Sequence, residues 1–407
     1  MTEKLYEKNS YLKECETSVT ECVCEGDATY IKLRQTIFFP EEGGQYSDTG
    51  VICHDGRTVH VLKGELTCTA SEGEPDIRYL VDEAIDEGTC VKCILDWDTR
   101  FSRMQNHSGE HIVSGLIHNL HGYDNIGFHL SDDEPVTLTV NGKLNADQIR
   151  VIEQKANEAV YANLPITDTY PSKEKAACTV YRSKIEIAGQ VRLITIGDVA
   201  DPLDVCACCA PHVSMTGAIG IIKVIASAGI KEGTQLQILC GRRALEFIEK
   251  SIDALESIAR SFSTHRDNVP ELVQRLREEN RSLNSRFAEL AVRSIIDSIR
   301  EGKENNESGG CIFTDTDLSP ASMKNIFNEL VTLRKGFVGL FVGSDEEGYR
   351  YYAGGQDKDA RELAKVMREK LDSKGGGSAE MIQGKVSAAQ RVIEELFAEL
   401  NVKTGME

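Results

Sequence analysis

Long apolar runs are missing from this sequence, and none approaches the ~20 residues that a helix needs to cross a bilayer. We therefore predict no membrane partner. The opening segment Met1–Lys8 lacks the apolar core of a secretion signal, and we expect a cytoplasmic protein. Positive charge is also scarce, because 46 Lys and Arg stand against 65 Asp and Glu. The formal net charge of −19 opposes non-specific binding of polyanions, so a nucleic-acid partner needs a localised basic surface.

Cysteine is plentiful, with 13 residues in a chain of 407, but the number is odd and the residues are scattered. That pattern is not typical of a secreted disulfide framework, so we expect reduced thiols, some of which bind metal. The content of 41% hydrophobic and 27% charged residues is that of an ordinary globular protein. At ~150 residues per domain, the chain has room for two or three domains.

The order of strand and helix signals predicts an α+β protein in four segments. These are a small β-barrel or sandwich (residues 1–95), a mixed α+β core (96–243), a helical linker (244–302) and a compact α/β domain (303–407). A glycine-rich loop at Pro40–Gly50 lies between strands of the first segment, and Gly302–Gly310 is predicted to be a linker.

Two helices can be placed more closely. Asp98 or Thr99 can cap the start of a helix that ends at Gly122. Near the C-terminus, a helical pattern covers Lys385–Leu400 and follows a glycine-rich turn at Lys374–Ser378.

In the helical linker, apolar residues follow the alternating spacing of a coiled coil. The six positions, called the heptad face below, are Val273, Leu276, Asn280, Leu283, Phe287 and Leu290. Coils this short are marginal by themselves. Two interpretations remain: the face packs on its own chain, or it joins two chains into a homodimer. The C-terminal domain is a second candidate for a homodimer contact.

The segment Asn106–His111 places two histidines four residues apart on a predicted helix. At this spacing His107 and His111 share one face, close enough to bind a common metal ion. With nine histidines in the chain the spacing can also arise by chance, and a partly buried structural pair is the alternative. Glu110 completes an H-x-x-E-H pattern, which is typical of one class of zinc peptidase.

A second group of candidate ligands lies further along the chain. Cys208 and His212 form a C-x-x-x-H pair, and thiolate and imidazole are both zinc ligands. Two such pairs from distant segments can close one tetrahedral site. Cys206 and Cys209 are competing thiols, and a set of small buried cysteines is the alternative. This pair completes a metal site better than the further carboxylate that a peptidase requires.

These residues resemble the editing domain of alanyl-tRNA synthetase, and the chain as a whole resembles the long form of the AlaX family of stand-alone alanyl-tRNA editing proteins. The similar segments are Gln35–Gly50 with its GGQ loop, Arg103–His111, Ile126–Leu138, Cys208–Gly220 and Lys374–Gly384. The last is similar to the glycine-rich turn of a C-terminal domain shared with DHH phosphoesterases. No synthetase core precedes the predicted barrel, so the resemblance implies hydrolysis without aminoacylation.

The resemblance implies a trans-editing hydrolase that deacylates tRNA(Ala) mischarged with serine, or with glycine. The implied Zn²⁺ ligands are His107, His111, Cys208 and His212. Thr36 is expected to contact the serine hydroxyl and Gln45 to orient the ester. Gly43 and Gly44 are expected to admit the tRNA 3′ end to the backbone, with a plain hairpin turn as the alternative.

For the C-terminal domain, the resemblance implies tRNA binding. The residues expected to form an anion-binding nest for a phosphate are Lys374, Gly375, Gly376 and Gly377. A flexible loop without a ligand is the alternative for this stretch.

Some positions depart from the family pattern, but none removes a ligand. Cys209–Pro211 replaces Gly-Gly-Thr, Ala218 replaces Glu and Ser47 replaces Gly. Four protein ligands make a closed site, which is usually structural, so whether zinc activates water or only shapes the pocket stays open. A non-catalytic tRNA-binding protein with a structural zinc is therefore one alternative. A peptidase is the other, although we expect Glu110 to be a bystander.

Overall fold

The computed structural model describes residues 1–67, 75–183, 191–301, 310–356 and 358–404. Helices and strands are mixed within these ranges, which confirms the predicted α+β class. The chain divides into two compact units, Met1–Glu256 and Ser257–Glu407. Among the described residues, no helix combines the length and apolarity that spanning a bilayer requires.

The first unit contains most of the strands. They are β1 (Glu3–Lys4), β2 (Glu14–Glu25), β3 (Ala28–Leu33), β4 (Gln35–Thr36), β5 (Gly50–His54), β6 (Arg57–Thr67), β7 (Asp76–Val81), β8 (Cys90–Leu95), β9 (Asn125–His129), β10 (Val136–Val140), β11 (Ile166–Thr169), β12 (Leu193–Asp198), β13 (Asp201–Ala207), β14 (Ile222–Gly229) and β15 (Thr234–Cys240). Its helices are α1 (Leu5–Lys8), α2 (Trp97–His121), α3 (Ala146–Tyr161), α4 (Lys173–Cys178) and α5 (Gly241–Ser261), which runs on into the second unit.

Six strands of the first unit close into a barrel in the order β2-β3-β7-β6-β5-β8. Buried and partly exposed positions alternate along the strands, as in β7, where Ile77, Tyr79 and Val81 are buried. Of the two forms predicted for this segment, the structure has the barrel. The loop between β4 and β5 leaves the barrel and contacts α2 through Ser47 and Asp48.

Helix α2 is the central element of the rest of the first unit. Its cap is Asp96, whose carboxylate accepts a hydrogen bond from Thr99 N, so the predicted cap at Asp98 or Thr99 is wrong. Gly122 ends the helix with a left-handed φ of 67°, as predicted. Residues 103–117 are all buried, because α3, β13 and the sheet β14-β15-β10-β9 pack around the helix. A helix buried on every side can hold polar ligands away from water.

The second unit is built on a five-stranded sheet. Its elements are α6 (Val269–Glu301), β16 (Gly310–Thr314), α7 (Pro320–Leu333), β17 (Val338–Ser344), β18 (Gly348–Gly354), α8 (Ala360–Leu371), β19 (Lys374–Gly377), β20 (Met381–Val386) and α9 (Gln390–Thr404). The strand order is β16-β17-β18-β20-β19, with β16 and β17 parallel and the other pairs antiparallel. Of the predicted connection Gly302–Gly310, only Gly310 lies within the described residues, where it begins β16.

Two predictions for the second unit are wrong. The helix expected from Lys385 begins at Gln390, because Ile382 and Val386 face the core at the period of a strand. The glycine-rich stretch Lys374–Gly377 is an exposed edge strand and not a turn. An extended strand does not have the backbone conformation of an anion-binding nest.

The heptad face is exposed. The apolar side chains at its positions are between 37% and 65% exposed, so the described residues of the second unit do not bury them. Helix α6 instead packs through its C-terminal part. Ile299 is buried there, and Ile295 and Ile296 lie against the same hydrophobic core as the buried residues of α7. The homodimer interpretation is left as a prediction.

Candidate metal centre

Two segments bring four ligands together: α2 supplies His107 and His111, and the segment after β13 supplies Cys208 and His212. Their ligand atoms all lie within 4.8 Å of one another. Cys208 Sγ is 3.6 Å from His107 Nε2 and 3.3 Å from His212 Nε2. Zinc bonds of ~2.0–2.1 Å to nitrogen and ~2.3 Å to sulfur place tetrahedral ligand atoms about 3.3–3.6 Å apart. The donors therefore fit a tetrahedral zinc ion, and of the competing thiols it is Cys208 that belongs to this group.

The protonation states of two of these donors, Cys208 and His212, favour metal binding. Burial raises the pKa of the Cys208 thiol, but the neighbouring imidazoles of His107 and His212 outweigh it and hold the pKa well below its usual value. Burial lowers the pKa of His212 to about 3, so that ring is neutral at pH 7. Thiolate and neutral imidazole are the forms that coordinate a metal.

The other nitrogen of each imidazole has its own partner. His107 Nδ1 lies 2.7 Å from Gln45 Oε1, and His212 Nδ1 lies 3.0 Å from Ser108 Oγ. His111 Nδ1 lies 2.7 Å from the sulfur of Cys206. Partners at Nδ1 leave Nε2 as the coordinating atom and set the direction in which it points.

Gln45 reaches His107 from a tight hairpin in the loop between β4 and β5. Glu42 and Gln45 exchange backbone hydrogen bonds of 3.2 and 3.1 Å. Gly43 and Gly44 between them have φ of 64° and 84°, the left-handed values of a two-residue hairpin. A Cβ at Gly44 would lie 3.1 Å from the ring of Phe128, which itself packs on His107. The glycines therefore form a hairpin turn that abuts the metal centre, and their contact with the tRNA 3′ end stays a prediction.

Comparison of the sequence with known proteins shows the family of the chain that carries these four residues. The model of the threonyl and alanyl tRNA synthetase second additional domain matches residues 191–237, the part that carries Cys208 and His212. The alanyl-tRNA editing protein AlaX-L of Pyrococcus horikoshii is 30% identical over 98% of this chain and 97% of its own length. The chain belongs to the AlaX family. The alanyl-tRNA editing protein Aarsd1 of Danio rerio is 27% identical over 98% of this chain and 97% of its own length.

Relatives outside the stand-alone AlaX proteins are longer. The alanine–tRNA ligase of Caldivirga maquilingensis is 28% identical over 94% of this chain, which covers 42% of the ligase. The resemblance inferred from the motifs is thus confirmed. So is the predicted class of enzyme, an aminoacyl-tRNA hydrolase, because the family consists of alanyl-tRNA editing proteins.

In this AlaX chain, α2 also holds the glycine-rich loop in place. Arg100 donates through Nε to Asp48 Oδ2 at 2.8 Å and through a second nitrogen to the carbonyl of Ile37. Arg103 donates to the carbonyl of Ser47. Both arginines and Asp48 are buried. The sequence motifs did not single them out, although Arg100, Arg103 and the two histidines of α2 follow the helical spacing that would have placed them on one face.

The remaining residues singled out in the sequence are not among the four candidate metal ligands. Thr36 is fully buried in the barrel, where its hydroxyl oxygen accepts from Phe38 N at 3.1 Å and lies 2.8 Å from the Tyr79 hydroxyl. Glu110 is buried and accepts from Asn125 Nδ2 at 2.7 Å, so it is part of the packing around α2. Lys374 and the three glycines after it belong to the second unit, on the exposed strand β19.

Proposed function

We propose that the chain hydrolyses the ester of tRNA(Ala) mischarged with serine, or with glycine, at a zinc site in the first unit. The observation that carries the proposal is the amide of Gln45. Its Oε1 is held by His107, while its Nε2 is fully buried and has no hydrogen-bond partner among the described residues. A buried donor without a partner costs about 1–3 kcal/mol, and a bound substrate oxygen would remove that cost.

The ligands of the proposed Zn²⁺ are His107, His111, Cys208 and His212. When bound, zinc supplies a Lewis acid next to the ester and shapes the pocket around it. A site with four protein ligands is usually structural. That feature favours a second candidate function, a non-catalytic tRNA-binding protein. If the protein is a hydrolase, a closed zinc site means that the protein groups around the zinc contribute most of the catalysis.

Gln45 is proposed to orient the substrate. Its Oε1 accepts a hydrogen bond from His107 Nδ1, which leaves Nε2 of Gln45 to donate to the carbonyl oxygen of the aminoacyl ester. Such a donor stabilises negative charge that develops on that oxygen. Gly43 and Gly44 are proposed to let the 3′ end of tRNA approach the backbone at the hairpin, where side chains would obstruct it.

Selection of serine over alanine requires a polar group that pairs with the extra hydroxyl, because apolar pockets reject hydroxyls weakly. Thr36 was expected to make that contact. Its hydroxyl oxygen already accepts from Phe38 N and from the Tyr79 hydroxyl, so we propose that the remaining Thr36 O–H donates to the serine hydroxyl.

For the second unit we propose a contact with the body of the tRNA through Lys374 and Gly375–Gly377. Strand β19 lies at the edge of its sheet and is exposed along its length. Backbone N–H groups at such an edge can donate to phosphate oxygens beside the lysine charge. We also propose that the exposed heptad face joins two chains, since its five apolar side chains otherwise remain in water.

The test is deacylation of Ser-tRNA(Ala), Gly-tRNA(Ala) and Ala-tRNA(Ala) by the zinc-loaded protein. We expect rapid loss of the seryl ester and a much slower loss of the alanyl ester. Gln45→Ala should lower the rate about 100-fold, the size of effect found for single oxyanion donors. The matched control is Gln35→Ala, whose amide bonds to Glu16 O on the barrel. Protein that binds zinc and tRNA but leaves all three esters intact would be the non-catalytic candidate.

A further inference from the structure

A buried polar group lies beside Nδ1 of His111. Cys206 Sγ is 2.7 Å from His111 Nδ1, and Asp204 Oδ2 is 3.7 Å from the same atom. Arg182 donates through Nε to Asp204 Oδ1 at 2.7 Å and through Nη2 to Oδ2 at 2.7 Å. Cys206 and Asp204 are 3% and 5% exposed, so water does not compete freely for these contacts.

These residues form a second cluster of metal-binding types, His111, Asp204 and Cys206. A second ion is not what the geometry favours, because the guanidinium fork of Arg182 already occupies both oxygens of Asp204. A bidentate arginine neutralises the carboxylate and fixes its plane. The cluster also has no ligand of its own besides Asp204 and Cys206, since His111 belongs to the first group.

We propose that Cys206 is the positioning residue for His111: its sulfur accepts a hydrogen bond from Nδ1–H of the imidazole, and the Arg182–Asp204 pair packs beside the ring, so that Nε2 would be left to coordinate zinc. The inference rests on the zinc site of the proposed function. His107 and His212 have oxygen partners at Nδ1, from Gln45 and Ser108. His111 is the one of the three whose Nδ1 is held by sulfur.

The arrangement predicts what happens when the sulfur is removed. With alanine at position 206, Asp204 Oδ2 remains as an acceptor for His111 Nδ1, at 3.7 Å in the wild-type structure. The ring would turn toward the carboxylate to reach hydrogen-bonding distance, and Nε2 would leave its direction. Loss of such an outer partner typically lowers metal affinity about 10–100-fold. A serine at this position keeps an acceptor and should recover most of the affinity.

The experiment measures zinc affinity of the full-length protein by competition with a chromogenic chelator. The variants are Cys206→Ala and Cys206→Ser, with Cys93→Ala as the matched control for loss of a fully buried thiol in the barrel. We expect affinity to fall about 10–100-fold for Cys206→Ala, to recover for Cys206→Ser, and to stay near wild type for Cys93→Ala. Thermal unfolding of the metal-free proteins checks that each variant folds.

Cobalt replacement separates positioning from coordination. Co²⁺ occupies tetrahedral nitrogen–sulfur sites, and its sulfur charge-transfer band counts bound thiolates. We expect this band to be unchanged in Cys206→Ala, because Cys208 is the bound thiolate, while the d–d bands shift with the ring of His111. A charge-transfer band that drops by half would make Cys206 a ligand and overturn the inference.

The affinities themselves can also refute the positioning role. Equal affinity for wild type and Cys206→Ala would overturn the inference and leave the zinc site intact. A Cys206→Ser variant no better than Cys206→Ala would overturn it as well, because simple packing would then explain the loss. Wild-type protein without zinc would instead refute the metal site of the proposed function, and the inference would fall with it.

Discussion

Replacement of Arg100 by methionine tests how strongly the helix that carries the histidines holds the glycine-rich loop. Arg100 and Asp48 are each about 1% exposed as side chains. Without the guanidinium, Asp48 keeps one hydrogen bond from Phe39 N at 2.7 Å and a distant charge, Arg103 Nη1, at 3.8 Å. Methionine fills most of the space, so the change isolates the loss of charge and hydrogen bonds.

The magnitude follows from the burial of the pair. Removing one partner of a buried ion pair costs about 3–5 kcal/mol, and the remaining attraction of Arg103 at 3.8 Å puts the expected value at the lower end of that range. The carbonyls of Ile37 and Ser10 lose a donor in the same variant, which adds in the same direction. Neutralising the partner with Asp48→Asn in the Arg100→Met background should return at least about 1 kcal/mol, because contacting residues are coupled.

The assay is urea unfolding followed by tryptophan fluorescence. Trp97 is the single tryptophan of the chain, stands at the first position of α2 and stacks on Phe101 with a centroid distance of 5.5 Å. It therefore reports on the first unit. The free energy of unfolding comes from the linear dependence on urea.

The matched control is Arg150→Met, which breaks an arginine–aspartate pair whose side chains are 78% and 88% exposed. Exposed pairs contribute about 0–1 kcal/mol, so this variant should unfold close to wild type. If Arg100→Met destabilises the protein no more than Arg150→Met, the buried ion pair does not clamp the loop. The clamp would also be refuted if the double variant Arg100→Met/Asp48→Asn were less stable than Arg100→Met alone.

Further predictions concern the zinc, the bystander carboxylate, the second unit and the dimer. Chelation of zinc should lower stability of the first unit by about 2.7 kcal/mol relative to protein with zinc at a hundredfold excess over its dissociation constant, and unchanged unfolding of chelated protein would contradict a bound ion. Glu110→Gln should leave deacylation within about threefold of wild type, because glutamine keeps an acceptor for Asn125 Nδ2 and Glu110 is not one of the four candidate ligands; abolished deacylation would show that Glu110 is not a bystander. Lys374→Gln should weaken tRNA binding in low salt and reduce the slope of log affinity against log salt by about 1, whereas Lys365→Gln on α8 should not; equal effects would remove Lys374 from the interface. Leu283→Glu should convert a dimer to a monomer in sedimentation experiments while Ser282→Glu does not, and a monomeric wild type would refute the dimer.

Local pattern was sufficient for much of the fold. Asn145 and Gln148 form the capping box of α3, and Gly122 ends α2, because caps depend on neighbours in sequence. The ligand pairs at His107/His111 and Cys208/His212 were also predictable, since each pair lies within one helical turn or one short loop. Local pattern failed where a sheet competes with a helix, as at Lys385, whose strand is held by pairing with β18 and β19.

The sequence by itself determined the family, the α+β class and the four candidate metal donors, because residue types and short spacings carry that information. Only the tertiary structure decided what surrounds those donors. Cys206 lies behind His111 and Gln45 beside His107 because strand β13 and a loop from the barrel converge on α2 from opposite parts of the chain. Burial decided the rest: it left Thr36 bonded inside the barrel and the amide of Gln45 without a partner among the described residues, and neither outcome has a signature in the order of residues.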